Sequence, residues 1–181
     1  MKYLITGGAG FLGSHLCDRL LKEGHEILCL DNYITGSRSN IEHIMGNPNF
    51  SLVEQEVSTL KDVEADGIFH LASPTAPEAY KRNVVMTIKA NTTGTSNLLD
   101  SAKDQNIPML FVSSLRVLDA GLDGPYIESK RVGETLCKEY GQKIARLGNT
   151  YGPRMDENDS RVIPTFIRLA KEDEDLNVID Q

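Results

Sequence analysis

Residues 4–16 read LITGGAGFLGSHL, and the glycine spacing in this stretch decides the fold. Gly7, Gly10 and Gly13 stand between an apolar strand-like run, KYLIT, and a helix predicted near 11–23; Gly8, Gly10 and Gly13 also satisfy G-x-G-x-x-G. Without a Cβ these residues permit a tight turn and a close backbone approach to a pyrophosphate, whose charge the N–H groups and dipole of the following helix favour. Alone, the pattern is as readily an ordinary turn. Here a strand precedes it, a helix follows, and the next strand, EILCL, runs into Asp31, about twenty residues on, where a ribose hydroxyl would be met. An adenine dinucleotide is the expected ligand. The carboxylate of Asp31 can accept from a 2′-hydroxyl and would repel a 2′-phosphate, so NAD is expected over NADP. Arg38 could offset a 2′-phosphate, but in the polar loop TGSRSN it reads as a solvated arginine.

Beyond that turn, FSLVE, GIFHLA, MLFVSS and KIARLG continue a series of strand-like runs alternating with helical patterns. The alternation predicts an α/β chain with a Rossmann-type, doubly wound parallel sheet. Val84, Val85, Ile88, Leu98, Leu99 and Ala102 recur at helical offsets, which predicts one long helix over 83–105, stopped by Asn106-Ile107-Pro108. Another helix is expected over 126–141, ending at Gly141. After Gly148 the sequence becomes polar and turn-rich, then offers a helix over RVIPTFIRLAK and a short strand over LNVID. Residues 1–150 are therefore expected to form the dinucleotide-binding domain, with 151–181 as a separate substrate-side segment. The acid run KEDED reads as a solvated surface, and no metal site is expected.

With 181 residues the chain has room for one α/β core. A net charge of -7 argues against nucleic-acid partners, which need clustered Lys and Arg. Neither a membrane-spanning run nor a secretory leader is apparent, so a cytoplasmic protein is expected. Cys17, Cys29 and Cys137 lack any C-x-x-C spacing and fall in predicted helices or strands, as buried free thiols do.

Residues 113–130, SSLRVLDAGLDGPYIESK, carry a second constellation. Ser114 sits at the end of the fifth predicted strand, while Tyr126 and Lys130 share one face of the next helix. Oxidation of an alcohol requires a base for the hydroxyl proton. Bringing a tyrosine from about 10 to about 7 requires roughly 4 kcal/mol. One ammonium about 4 Å away, at an effective dielectric near 20, contributes about that much. Ser114 would hydrogen-bond the reacting oxygen. Tyr-x-x-x-Lys and a strand-end serine each occur for structural reasons too; their order after the glycine turn is what points to chemistry.

Together, TGGAGFLGSHLCDRLL, LDNYITGSRSNIEH, FHLASPTAP, TIKANTTGT, YIESKRVGETL and ARLGNTYGPRM resemble the extended short-chain dehydrogenase/reductases of the NAD-dependent epimerase/dehydratase family, above all the UDP-glucuronate decarboxylases. The resemblance implies NAD held by Gly10, Phe11, Leu12, Asp31, Asn32 and Thr35, with Glu56 and Val57 toward the adenine. It implies Leu71, Ser73 and Lys89 on the nicotinamide side, and Asn149 and Arg161 as contacts to a nucleotide sugar, expected to be UDP-linked. In such enzymes the sugar is first oxidised at C4. A homodimer through helices 83–105 and 126–141 is implied as well. The chain departs from the decarboxylases at Leu115-Arg116, where they carry Ser-Glu, and in the short LDAGLDGP connection that replaces a longer substrate-covering loop. It also stops at Gln181 where they continue, so 151–181 is expected to represent a remnant of their sugar-binding lobe. A catalytically impaired NAD-binding sensor or partner subunit is the alternative expectation.

Overall fold

A computed structural model of the chain describes residues 1–176. Six parallel strands, β1 (Lys2–Thr6), β2 (Glu26–Asp31), β3 (Phe50–Glu54), β4 (Gly67–His70), β5 (Met109–Ser114) and β6 (Lys143–Leu147), form one sheet in the order β3-β2-β1-β4-β5-β6. The order reverses between β1 and β4, so the connections leaving those two strands diverge and open a crevice at their carboxyl ends. Each expected strand through KIARLG is present, as is the parallel sheet. The strand expected over residues 176–180 lies outside the described residues but for Leu176.

Successive strand residues point to opposite faces, and both faces are covered. Leu4, Leu30, Ile68 and Phe111 pack with Leu98, Leu99 and Cys137 on one side. Ile5, Ile27 and Cys29 pack with Cys17, Leu20 and Ile41 on the other. The helix α1 (Phe11–Lys22) closes the second layer, and its last turn runs into Gly24 at φ 82°.

The predicted long helix is broken. A short α2 (Pro77–Arg82) stops at Asn83; α3 (Val84–Lys89) then widens into a π turn, Ala90–Gly94, before α4 (Thr95–Gln105) ends at Asn106 in the left-handed region, φ 54°. Apolar periodicity could not register the π turn, because its cause is a polar network beneath it. Buried His70 reaches Ala90 O (3.2 Å) and Thr95 Oγ1 (3.1 Å) through Nε2, and Thr6 Oγ1 (2.7 Å) through Nδ1. Since Thr95 Oγ1 already donates to Asn91 O, the ring nitrogen facing it must be the donor, which fixes the tautomer with the proton on Nε2.

The helix α5 (Pro125–Glu139) begins behind Gly124 and lies against the π turn and β5. Gly133 makes that approach feasible, since a Cβ there would lie 2.6 Å from Phe111 Cζ and 2.8 Å from Asn91 O. Buried Glu134 accepts from Arg146 at 2.8 Å and 2.6 Å, tying α5 to β6. Past β6, residues from 150 fold back over α1. Arg154 donates to Asp18 Oδ2 (2.6 Å), His15 meets Pro153 O (3.0 Å), and α6 (Val162–Lys171) follows, as expected from RVIPTFIRLAK.

Replacing Gly133 by Ala is expected to destabilise the fold by about 1–3 kcal/mol through overpacking against Phe111, read as a lowered urea midpoint at constant slope. An unchanged midpoint would mean that α5 can back away freely.

Candidate active site

Thr6 ends β1 in the sheet, and Gly7, at φ 74°, turns the chain toward α1 while its N–H donates to Leu30 O (2.7 Å). A Cβ at Gly13 would overlap the Gly7 carbonyl oxygen and meet Gly8 Cα at 2.8 Å, so the first turn of α1 lies directly on the loop. Near Gly10, by contrast, a Cβ would meet nothing but Gly7 O, at 3.1 Å, leaving a hollow over the helix start. Asp31 sets the loop from the other side. Its Oδ2 accepts from Ala9 N (2.9 Å) and its Oδ1 from Tyr33 N (2.9 Å). Burial raises the Asp31 pKa, and these N–H groups pull it back down.

From this loop a cleft of about 300 Å³ runs along the carboxyl edge of the sheet. Asp31, Asn32, Thr35, Glu56 and Val57 line one end, and Gly7, Gly10, Phe11, Leu12 and Gly13 its middle. Leu71, Ser73, Ser114, Tyr126 and Lys130 line the other end, with Asn149 and Arg161 from the returning segment. The residues present therefore fit a dinucleotide: a side-chain-free cradle at a helix start, a carboxylate a strand away, and an extended trough between them. Lys89 departs from expectation. Its side chain is exposed on α3 and does not line the cleft, because the helical phase that buries Thr87 and Ala90 turns residue 89 outward. Among the described residues no group of three or more His, Cys, Asp or Glu is placed to hold a metal.

At the far end, burial opposes charge. Lys130 is 3% exposed, donates from Nζ to Val112 O (2.7 Å) and lies 4.7 Å from the centre of the Phe111 ring. Burial lowers its pKa to about 7. His70 is lowered to about 3 by burial and by Lys130, and so stays neutral. The phenol of Tyr126 is raised by burial, while the Ser114 hydroxyl and the charges of Arg116 and Arg161 pull it down. This revises the electrostatic expectation that one ammonium would lower the phenol: the lysine is turned to a backbone carbonyl, and dehydration disfavours both charged forms. Tyr126 is also stacked on Tyr80, with ring centres 5.0 Å apart and planes 13° from parallel.

Several participants were not singled out from the sequence. Asn91 is fully buried and donates to Ser73 Oγ and Ser129 Oγ, both at 3.1 Å. Its position in TIKANTTGT was a signal; the π turn that aims it was not. Tyr80 belongs to a separate helix from Tyr126, and no spacing rule connects them.

The match to the NAD dependent epimerase/dehydratase family extends over residues 3–181. The chain belongs to that family. It is 40% identical to UDP-glucuronic acid decarboxylase 1 of Xenopus tropicalis, over 98% of this chain and 48% of that protein. With UDP-glucuronic acid decarboxylase 6 of Arabidopsis thaliana it shares 42% identity, over 98% and 59%. It thus spans about half the length of the curated relatives it matches. Among solved structures, the UDP-glucose 4-epimerase of Thermotoga maritima, with UDP-glucose, superposes with a TM-score of 0.82 at 25% identity, covering 99% of this chain and 66% of that one. Bordetella bronchiseptica WbmH in complex with NAD+ gives 0.80 at 25% identity, over 96% and 63%.

The lowered Lys130 has a measurable signature. The unfolded lysine keeps its proton up to about 10.5 and the folded one loses it near 7, so wild-type stability rises with pH between these values. Lys130→Met removes this dependence. Its stability relative to wild type should therefore fall by about 2 kcal/mol from pH ~7 to pH ~9, as read by urea denaturation, and a constant difference would contradict the assignment.

Proposed function

We propose that the protein is an NAD-dependent enzyme acting on a UDP-linked nucleotide sugar, which it first oxidises at C4 with Tyr126 as base. One observation carries this reading: the glycine turn and Asp31 share a single cleft with Ser114, Tyr126 and Lys130. The names of the relatives, UDP-glucuronic acid decarboxylases and UDP-glucose 4-epimerase, support the substrate class. NAD supplies the acceptor for the hydride that leaves the sugar carbon. Asp31 favours it over NADP, since a 2′-phosphate beside a buried carboxylate would be repelled.

Ser114 Oγ accepts from the N–H of Arg116 (3.2 Å), which leaves its own proton to donate to the sugar oxygen. Tyr126 takes the hydroxyl proton. Lys130, with a pKa near 7, can take up or release a proton without leaving its place on Val112. Residues 1–150 form the NAD-binding part in this reading, and 151–181 contribute Asn149's neighbours and Arg161 on the sugar side. Decarboxylation and 4-epimerisation both begin with this oxidation. Arg116, standing where the decarboxylases carry glutamate, favours an outcome that needs fewer groups, such as epimerisation or simple redox.

A second reading, an NAD-binding module without turnover, draws on the cover of Tyr80 over the phenol and on the turn of Lys130 away from it. Mixing the protein with NAD and UDP-sugars separates the two. Reduced nicotinamide should form, and Tyr126→Phe should slow it by about 10²-fold or more; formation that survives this substitution would remove Tyr126 as base, and calorimetric NAD binding without turnover would favour the module.

The protein is further assigned to the cytoplasm and to a homodimer formed through residues 83–105 and 126–141. No helix among the described residues is long and apolar enough to cross a membrane. Val85, Ile88 and Val132 expose apolar side chains on these helices, at 64%, 38% and 47%. Sedimentation at micromolar concentration should show a dimer that Val85→Asp with Val132→Asp dissociates; a monomeric wild type would refute it.

A further inference from the structure

Residues 152–154, past the end of β6, are fastened at every position to α1 or to the glycine turn. Gly152 lies on Phe11, where a Cβ would stand 3.3 Å from the ring Cζ. The carbonyl oxygen of Pro153 meets His15 Nε2 at 3.0 Å, and His15 sets its ring edge-on to Phe11, with centres 5.6 Å apart. Asn40 donates from Nδ2 both to Arg154 O (3.4 Å) and to Ala9 O (2.9 Å), so one amide bridges this segment and the loop between β1 and α1.

Arg154 is the strained member. Its backbone is in the left-handed region, φ 68°, which a residue other than glycine occupies only where its surroundings hold it there. Its side chain is held by Asp18 of α1: Nη2 donates to Oδ2 at 2.6 Å, while Nη1 is buried without a hydrogen-bond partner among the described residues. The other carboxylate oxygen, Oδ1, lies 2.8 Å from His43 Nε2. A carboxylate only accepts, so the imidazole proton is on Nε2 and His43 braces Asp18. Neither Asp18 nor His43 lines the cleft, yet Arg154 and its neighbours Met155 and Asp156 do, as do Gly10 and Phe11. A strained residue anchored from behind by an ion pair therefore sets part of the wall beside the dinucleotide cradle.

We propose that Asp18 is a positioning residue for the cofactor: acting through Arg154, it clamps residues 152–156 against the glycine turn and so slows the departure of NAD. The inference needs NAD binding alone and stands whether or not a sugar is turned over. Contacts that keep a wall closed on a bound ligand act chiefly on its off-rate. Asp31 and Val57, at the adenine end, belong to β2 and to the turn after β3, so a ligand confined there serves as the control.

In the test, NADH bound to the protein is chased with excess NAD in a stopped-flow instrument, and its release is followed by nicotinamide fluorescence, which no tryptophan of this chain disturbs. Asp18→Asn should release NADH at least about tenfold faster than wild type, as weakening one charge-assisted contact allows. Arg154→Gly breaks the same pair while relieving the backbone, since glycine tolerates positive φ, and should accelerate release to a similar extent. Because the pair is broken only once, the double variant should be no faster than either single one, and AMP, bound at the adenine end, should keep its calorimetric affinity within about twofold. Should Asp18→Asn fail to fold, Arg154→Gly alone decides. Release at the wild-type rate, effects that multiply in the double variant, or AMP weakened in step with NADH would each overturn the clamp; a wild type that binds no NADH would remove the cofactor reading along with it.

Discussion

Everything at the carboxyl edge of the sheet depends on the contact between the Gly7 carbonyl and the α-carbon of Gly13. Any side chain at residue 13 would occupy the space that the carbonyl oxygen fills. Because it is free, α1 can start on the end of β1, with Gly7 tied to Leu30 O and Ala9 tied to Asp31. The two ties join the loop to β2 at adjacent residues. The position of Asp31 is thus a consequence of the same turn that creates the hollow at Gly10, and a strand and a helix are fixed together by one exclusion of volume.

Along the cleft the governing effect is dehydration. Asp31 and Tyr126, which line it, are raised by burial, while Lys130, and His70 in the core, are lowered, so all four are pushed toward their neutral forms. Charge is kept instead on the rim, by Arg116 and by the Arg161–Asp159 pair. In such surroundings each added charge is felt strongly. The stack of Tyr80 on Tyr126 adds to that dehydration by covering one face of the phenol ring.

The strands were legible because their apolar runs are short and lie between turn residues, and because a sheet covered on both faces requires such runs. The glycine turn and Asp31 were legible because backbone geometry leaves few residue types free to serve. The break at Asn83 and the π turn were not; the π turn answers to His70, Thr6 and Thr95, which only the fold brings together. Lys89 faces outward for a simpler reason: the phase of α3 that buries Thr87 turns residue 89 to the surface before the turn widens. Their order after the glycine turn put Ser114, Tyr126 and Lys130 into one group, and the fold does gather them, yet the turn of Lys130 toward Val112 O is a tertiary contact that no spacing encodes. Arg154 and Asp18, far apart in the chain, form an ion pair that the sequence pattern does not mark.

The three thiols have a use beyond packing. Cys17 and Cys29 lie in one layer beneath Gly8, and Cys137 in the opposite layer between α5 and the sheet. All are shielded from reagents in the folded state, and the pKa of Cys17 is pushed far up and that of Cys137 up to about 12. Each side of the sheet therefore carries its own natural alkylation probe. The rates at which the two sets are trapped by a thiol reagent tell whether the halves of the core come apart in one cooperative event or in succession.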